Sequence, residues 1–169
     1  MEFDIIKSLT NEYTNECAST RKLLERVPYD NPAWKPHEKS MSLQNLAAHI
    51  ADIPNWVPVT IERSELDFAK GDYVSKKANT IDGLLKIHDD AVAAALQCIK
   101  NTTAEILKNE TWTMRNGETI YFTMPKIAVV RSWCFNHLYH HRGQLTVYLR
   151  LLGIPLPGMY GPTADDSSM

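Results

Sequence analysis

Two histidines, His137 and His141, occupy positions of an amphipathic pattern where an aliphatic side chain is the ordinary occupant. Ile127, Val130, Cys134, His137, His141, Leu145, Tyr148 and Leu152 recur at intervals of three and four, the period of one helix face. Imidazoles four residues apart stack on such a face. Neutral imidazole nitrogen is a good ligand for Zn, Ni, Fe or Cu, so the pair is a two-donor platform for a transition metal. Left without partners, each buried ring would cost about 1–3 kcal/mol, and coordination removes that cost. A third donor has to come from another helix, because one straight helix presents three ligands to one ion only under strain. His49 lies at the margin of the stripe Leu46, Ile50 and Ile53, and His88 lies among Leu84, Leu85 and Val92. Spacing alone does not choose between them.

Residues around the pair extend the possible site. His140 points away from the line joining His137 and His141, towards solvent or a supporting position. Arg142 and Gln144 lie off the stripe centre, where they could rim a pocket. Gly143 sits mid-helix at a cost of about 1 kcal/mol relative to Ala, which suggests close approach of a helix or ligand. Asp52, three after His49, is either a solvated helix acid or a group that orients a ligand or takes a proton. Trp56, seven after His49, and Trp133 and Tyr148 on the last helix could wall an open pocket above the metal. No HExxH pairing of metal ligand and adjacent Glu is present. Among the three cysteines, Cys134 is nearest the pair but sits on the core stripe. The catalytic groups are therefore unassigned beyond a metal-activated water or thiolate.

Four long helical patterns must position these residues. The first covers residues 4–27, with Ile6, Leu9, Tyr13, Cys17 and Leu24 on one face, and Pro28 ends it. Residues 28–41 read as an irregular loop. The second helix starts at Ser40 or Ser42, carries Leu43, Leu46, Ile50, Ile53, Val57 and Ile61, and should be kinked or split by Pro54 and Pro58. A polar stretch, 70–79, precedes a third helix capped by Asn79 or Thr80, with Ile81, Leu84, Leu85, Val92, Ala95 and Ile99 as its stripe. Between Trp112 and Met124 the chain is rich in Thr and aromatics, and Asn116-Gly117 signals a small hairpin. The fourth helix runs from Pro125 to Leu152, stops at Gly153, and is followed by a Pro- and Gly-rich tail that could fold back as a lid. The expected class is all-α: a four-helix bundle with a hairpin or extended excursion before the last helix, forming one domain over residues 1–169.

The segment FNHLYHHRGQLTVYLRLLGIPLPGMYGPTADD resembles the C-terminal signature of the DinB/YfiT family of metal-binding four-helix proteins. NLAAHIADIPNW, residues 45–56, resembles that family's helix-two ligand segment. Together the two blocks cover about a quarter of the chain, in the family's order. The resemblance implies a metal triad of His49, His137 and His141, up-down-down-up topology and frequent homodimers. It returns His88 to the core or to a pocket wall. It also implies a metal-dependent enzyme acting on a small molecule, with transferases that use bacillithiol or mycothiol among the wider superfamily and hydrolysis as a neighbouring chemistry. The alternative class is a non-catalytic metal- or ligand-binding stress-response dimer. Zn or Ni is the expected ion, with a low-molecular-weight thiol as a conceivable co-substrate.

Composition narrows the partners. The chain has 169 residues, 18 Lys plus Arg against 20 Asp plus Glu, and a formal charge of −2. That balance, without a basic stripe, argues against a nucleic-acid or anionic-membrane partner. No apolar run reaches the roughly 18–20 residues of a membrane helix, and the first residues do not read as a signal peptide. Three widely spaced cysteines do not suggest a disulfide framework, so a reducing cytoplasm is expected.

Overall fold

The chain is described as a computed structural model over residues 4–166. Helix α1 (Ile5–Leu24) opens where Asp4 accepts a hydrogen bond from the Lys7 amide at 3.0 Å. It ends short of the expected residue 27. Helix α2 (Leu43–Asp52) opens on the Ser42 hydroxyl, which accepts from the Asn45 amide. The two prolines split the second pattern as expected. One 3₁₀ turn, Ile53–Asn55, carries Pro54, and α3 (Trp56–Glu62) takes Pro58 in its first turn, where no backbone donor is needed. Thr80 caps α4 (Ile81–Asn101), accepting from the Gly83 amide at 3.1 Å.

The chain is not all-α. Strand β1 (Glu65–Asp67) pairs in parallel with β2 (Thr111–Asn116), and β2 pairs antiparallel with β3 (Thr119–Pro125). This three-stranded mixed sheet, ordered β1-β2-β3, makes the class α+β and overturns the bundle expectation. The hairpin itself is legible in the sequence, but its turn falls one residue later: Asn116 pairs with Thr119, and Gly117 takes the left-handed conformation at φ +57°. A short helix, α5 (Ala104–Asn109), leads into β2 and has no counterpart among the four expected patterns. Strand β1 escapes the sequence pattern because three residues carry no periodicity. What fixes it is non-local: the buried Asp67 carboxylate, which also accepts locally from the Ala69 amide at 3.0 Å, accepts from the distant Gly117 amide at 2.9 Å. Buried Lys126 adds a second tie, donating to the Ile61 carbonyl and to Glu110.

The last helical pattern is also not one continuous α-helix. It divides into α6 (Lys126–Val129), a wider π-helical stretch, Val130–Phe135, and α7 (Asn136–Leu151). The wider turn rotates the faces of α7 relative to those of α6. Leu138, Arg142, Leu145 and Leu149 consequently form the deeply buried row of α7, and His137 and His141 move to its half-buried margin. Helix α4 packs against α1 and against α2–α3, while α7 packs against α2 and α1. Tyr13 stacks on Phe135 inside this core, with ring centroids 4.2 Å apart.

Candidate metal centre

His49 on α2 faces His137 and His141 on α7, and one ring nitrogen from each lies within 4.8 Å of the others. His137 Nε2 stands 2.9 Å from His49 Nε2 and 3.0 Å from His141 Nε2. A neutral ring nitrogen offers either one proton or one lone pair, so His137 cannot complete two good hydrogen bonds through that atom. Gln144 sharpens the mismatch. Its carbonyl oxygen lies 2.7 Å from His141 Nδ1, which places the proton on Nδ1 and turns the Nε2 lone pair into the cluster. Burial, then the neighbouring rings, lowers the pKa of both His49 and His137 to about 4; burial also lowers that of His141. All three rings are therefore neutral at pH 7, with nitrogens free to donate. This donor set suits a divalent transition ion.

Aromatic side chains enclose the triad on one side. Trp56 lies nearly parallel to the His137 ring at 6.0 Å, and Trp133 lies 4.9 Å from it. The two indoles touch each other at 5.2 Å. Both tryptophans expected near the pair thus stand beside the triad, one brought by α3 and one by the π-helical stretch.

Asp52 is 3% exposed, but its carboxylate is not part of the nitrogen cluster. It accepts from Asn55 Nδ2 at 2.8 Å and lies 3.4 Å from Lys76 Nζ. It borders a cavity of about 150 Å³ walled by Trp56, Val59, Leu66 and Tyr73. The expected pocket opening onto the ion is therefore displaced: this cavity adjoins the triad across Trp56, and none of the three histidines lines it. Tyr73 and Lys76 come from the irregular stretch after β1, which carries no pattern that could have announced them.

The other candidate residues lie away from the triad or outside its nitrogen cluster. His88 is 2% exposed on α4, in the core, the first of its two expected placements, with Nδ1 3.4 Å from Asp89 and Nε2 without a partner among the described residues. His140 is exposed, its ring 4.9 Å from that of His141. Arg142 does not rim a pocket. It is 2% exposed and donates to the Glu16 carbonyl and carboxylate, to Thr20 Oγ1 and to the Tyr160 hydroxyl. Tyr148 packs on Trp34 and donates to the Met41 carbonyl, away from the triad. Among the described residues a Cβ at Gly143 would meet nothing within 4 Å, so no close approach within them explains that glycine. The tail does fold back, but its clasps run to α1 and α7: Tyr160 to Glu16 and Arg142, and Asp165 to Arg150 at 2.7 and 2.9 Å. Those bonds tie it down as a strap and do not place it over the triad. Cys17, Cys98 and Cys134 are free and buried, and burial pushes each thiol up to about 12, far from a nucleophilic thiolate at neutral pH. Gln144 holds the His141 ring where the sequence suggests only a pocket rim; its place three residues after His141 is the signal that points to this role.

Comparison with known proteins agrees with this architecture. A Bacillus subtilis (strain 168) protein, the uncharacterized YrdA, is 50% identical over 168 residues, covering 97% of this chain and 93% of its own length. A crystal structure of a DinB-like protein from Bacillus cereus ATCC 10987 superposes with a TM-score of 0.67 at 21% identity, over 91% of this chain and 97% of that one. The DinB-like YjoA of Bacillus subtilis gives 0.68 at 21% identity, over 90% and 97%. The DinB family description matches residues 5–168. With the match running through both histidine-bearing helices and everything between them, the chain belongs to the DinB family.

Proposed function

We propose that His49, His137 and His141 hold one divalent transition ion, Zn or Ni, and that the protein is a metal-dependent enzyme acting on a small molecule. The observation that carries this reading is the meeting of three neutral imidazole nitrogens whose mutual contacts cannot all be hydrogen bonds. When bound, the ion would supply Lewis acidity towards a thiol or water, because three neutral ligands leave its charge intact and positions open. The chain's own residues do the rest. Gln144 holds His141 in the ligating tautomer, and Trp56 and Trp133 fix His137 and exclude water from one side of the triad. We place the reaction among thiol transfers to an electrophilic small molecule or, as its neighbour, hydrolysis. The buried cysteines leave any thiol to be brought by a co-substrate. Cytoplasmic location and a homodimeric state complete the proposal. Nucleic acid and membrane are not among the proposed partners; among the described residues no helix is long and apolar enough to cross a bilayer.

The second reading, a non-catalytic metal- or ligand-binding protein, draws on one observation: the cavity beside the triad is not lined by it. Turnover decides between them. Metal-loaded protein should consume a low-molecular-weight thiol with a halogenated or epoxide acceptor, or hydrolyse an activated ester or amide, and His137→Ala should abolish it. No turnover across both screens, with metal bound, favours the binding protein.

A further inference from the structure

The cavity on the far side of Trp56 has a chemistry of its own. Its walls are Trp56, Val59, Leu66 and Tyr73, with the Trp56 and Tyr73 rings 5.0 Å apart. Its volume of about 150 Å³ is that of a site for a single ring, the size at which an apolar protein cavity takes up benzene. Three charged residues reach it: Asp52, Asp72 and Lys76. Asp52 is the buried one. Its side chain is 5% exposed, while that of Lys76, its only charged partner among the described residues, is 47% exposed and stands 3.4 Å away.

A buried carboxylate held by a loose, half-solvated ammonium is a strong acceptor with a replaceable partner. The ammonium end of the pair is half-solvated, so an incoming donor can exchange for Lys76 without stripping out a buried cation. An anion entering the cavity would meet two carboxylates against one ammonium. A cation would meet the reverse, beside the faces of Trp56 and Tyr73, which attract cations in their own right.

We propose that this cavity is the recognition pocket of the site and that its ligand is a small primary amine. The ligand's body, about one ring in size, lies against Trp56 and Tyr73, and its ammonium replaces Lys76 on Asp52. Asp52 is then the specificity-determining residue, three positions after His49 on the same helix. The pocket's place in catalysis rests on the triad being a metal site; amine binding itself does not.

The test uses the full chain in metal-free form, so that an amine cannot bind by coordination, and again with Zn loaded. Benzylamine, benzyl alcohol and benzoate are titrated by calorimetry at pH 7.5, with thermal melts to confirm that each variant is folded. Benzylamine should bind at least tenfold tighter than benzyl alcohol, and benzoate weakest. Asp52→Asn should bring the amine down to the alcohol's affinity, Lys76→Ala should tighten it, and Val59→Phe should exclude all three by filling the cavity. Equal or better binding of benzoate, no binding of any probe, or amine affinity indifferent to both Asp52→Asn and Lys76→Ala overturns the proposal. Metal content is measured on the same samples. Loss of the amine preference with metal retained sinks only the pocket, and a protein that binds amine but no metal sinks only the metal reading.

Discussion

His141 and Arg142 are consecutive residues of α7, both polar where a core helix asks for aliphatics, and their surroundings differ in one respect. Arg142 is satisfied by the chain itself. Its guanidinium meets the Glu16 carbonyl and carboxylate, Thr20 and Tyr160, and stacks between the rings of Tyr139 and Tyr160 at 5.3 and 5.2 Å. The triad is not satisfied. Its nitrogens face one another at hydrogen-bond distance with too few protons in the right places. A buried polar group whose partners are all internal belongs to the fold, whereas one whose partners are mutually incompatible calls for something from outside. Burial alone ranks the two the wrong way round, since Arg142 is the more deeply buried.

Separate losses should appear on the two sides of the helix. Arg142→Ala leaves Glu16 without its ion-pair partner in a largely buried position and should cost about 3–5 kcal/mol of stability. Chemical denaturation would measure it, with metal affinity per folded molecule unchanged. His137→Ala should do the opposite, weakening metal binding by about 100-fold or more, which is ~2.7 kcal/mol, while leaving the midpoint of metal-free unfolding near that of the parent. A large stability loss from His137→Ala would erase the contrast.

Gln144→Ala should lower metal affinity by about tenfold, because it frees His141 to adopt the wrong tautomer. Tyr160→Phe, on the other side, should cost only about 1 kcal/mol and leave metal untouched. Acidification separates the two regions again. The triad pKa values are depressed below the usual ~6.5 of an unfolded His. Between that value and about 4 the unfolded chain takes up protons that folded, metal-free protein refuses. Stability of the metal-free form should thus be fully present above pH 6.5 and fall towards pH 4. His137→Ala should flatten that fall, and bound metal should persist well below pH 6 before protons displace it. Release already complete at pH 6.5 would contradict the buried, neutral triad.

Much of this architecture is legible in single residues. The helix caps at Ser42 and Thr80, the break at Pro54 and the hairpin near Gly117 are local effects, and they fall where or nearly where the sequence puts them. The HxxxH pair is visible because histidine interrupts an aliphatic period. His49 against His88 is not decidable from spacing, since both sit on inward stripes; the resemblance points to His49, and the fold places it facing α7. What stays hidden depends on distant partners. Strand β1 exists because β2 lies beside it, and the burial of Arg142 is disguised by the π-helical stretch, which shifts the face by about one residue while keeping intervals of three and four plausible. The cavity loop, with Tyr73 and Lys76, has no period to read.

Metal content decides the central claim most directly. Untagged protein purified without added metal, and the His137→Ala protein prepared alongside it, would be assayed by elemental analysis and then titrated with Zn and Ni. The account predicts one divalent transition ion per chain in the parent, carried through purification or taken up on titration, and none in the variant. A parent that takes up neither ion, or a His137→Ala protein that keeps its full complement, would contradict it.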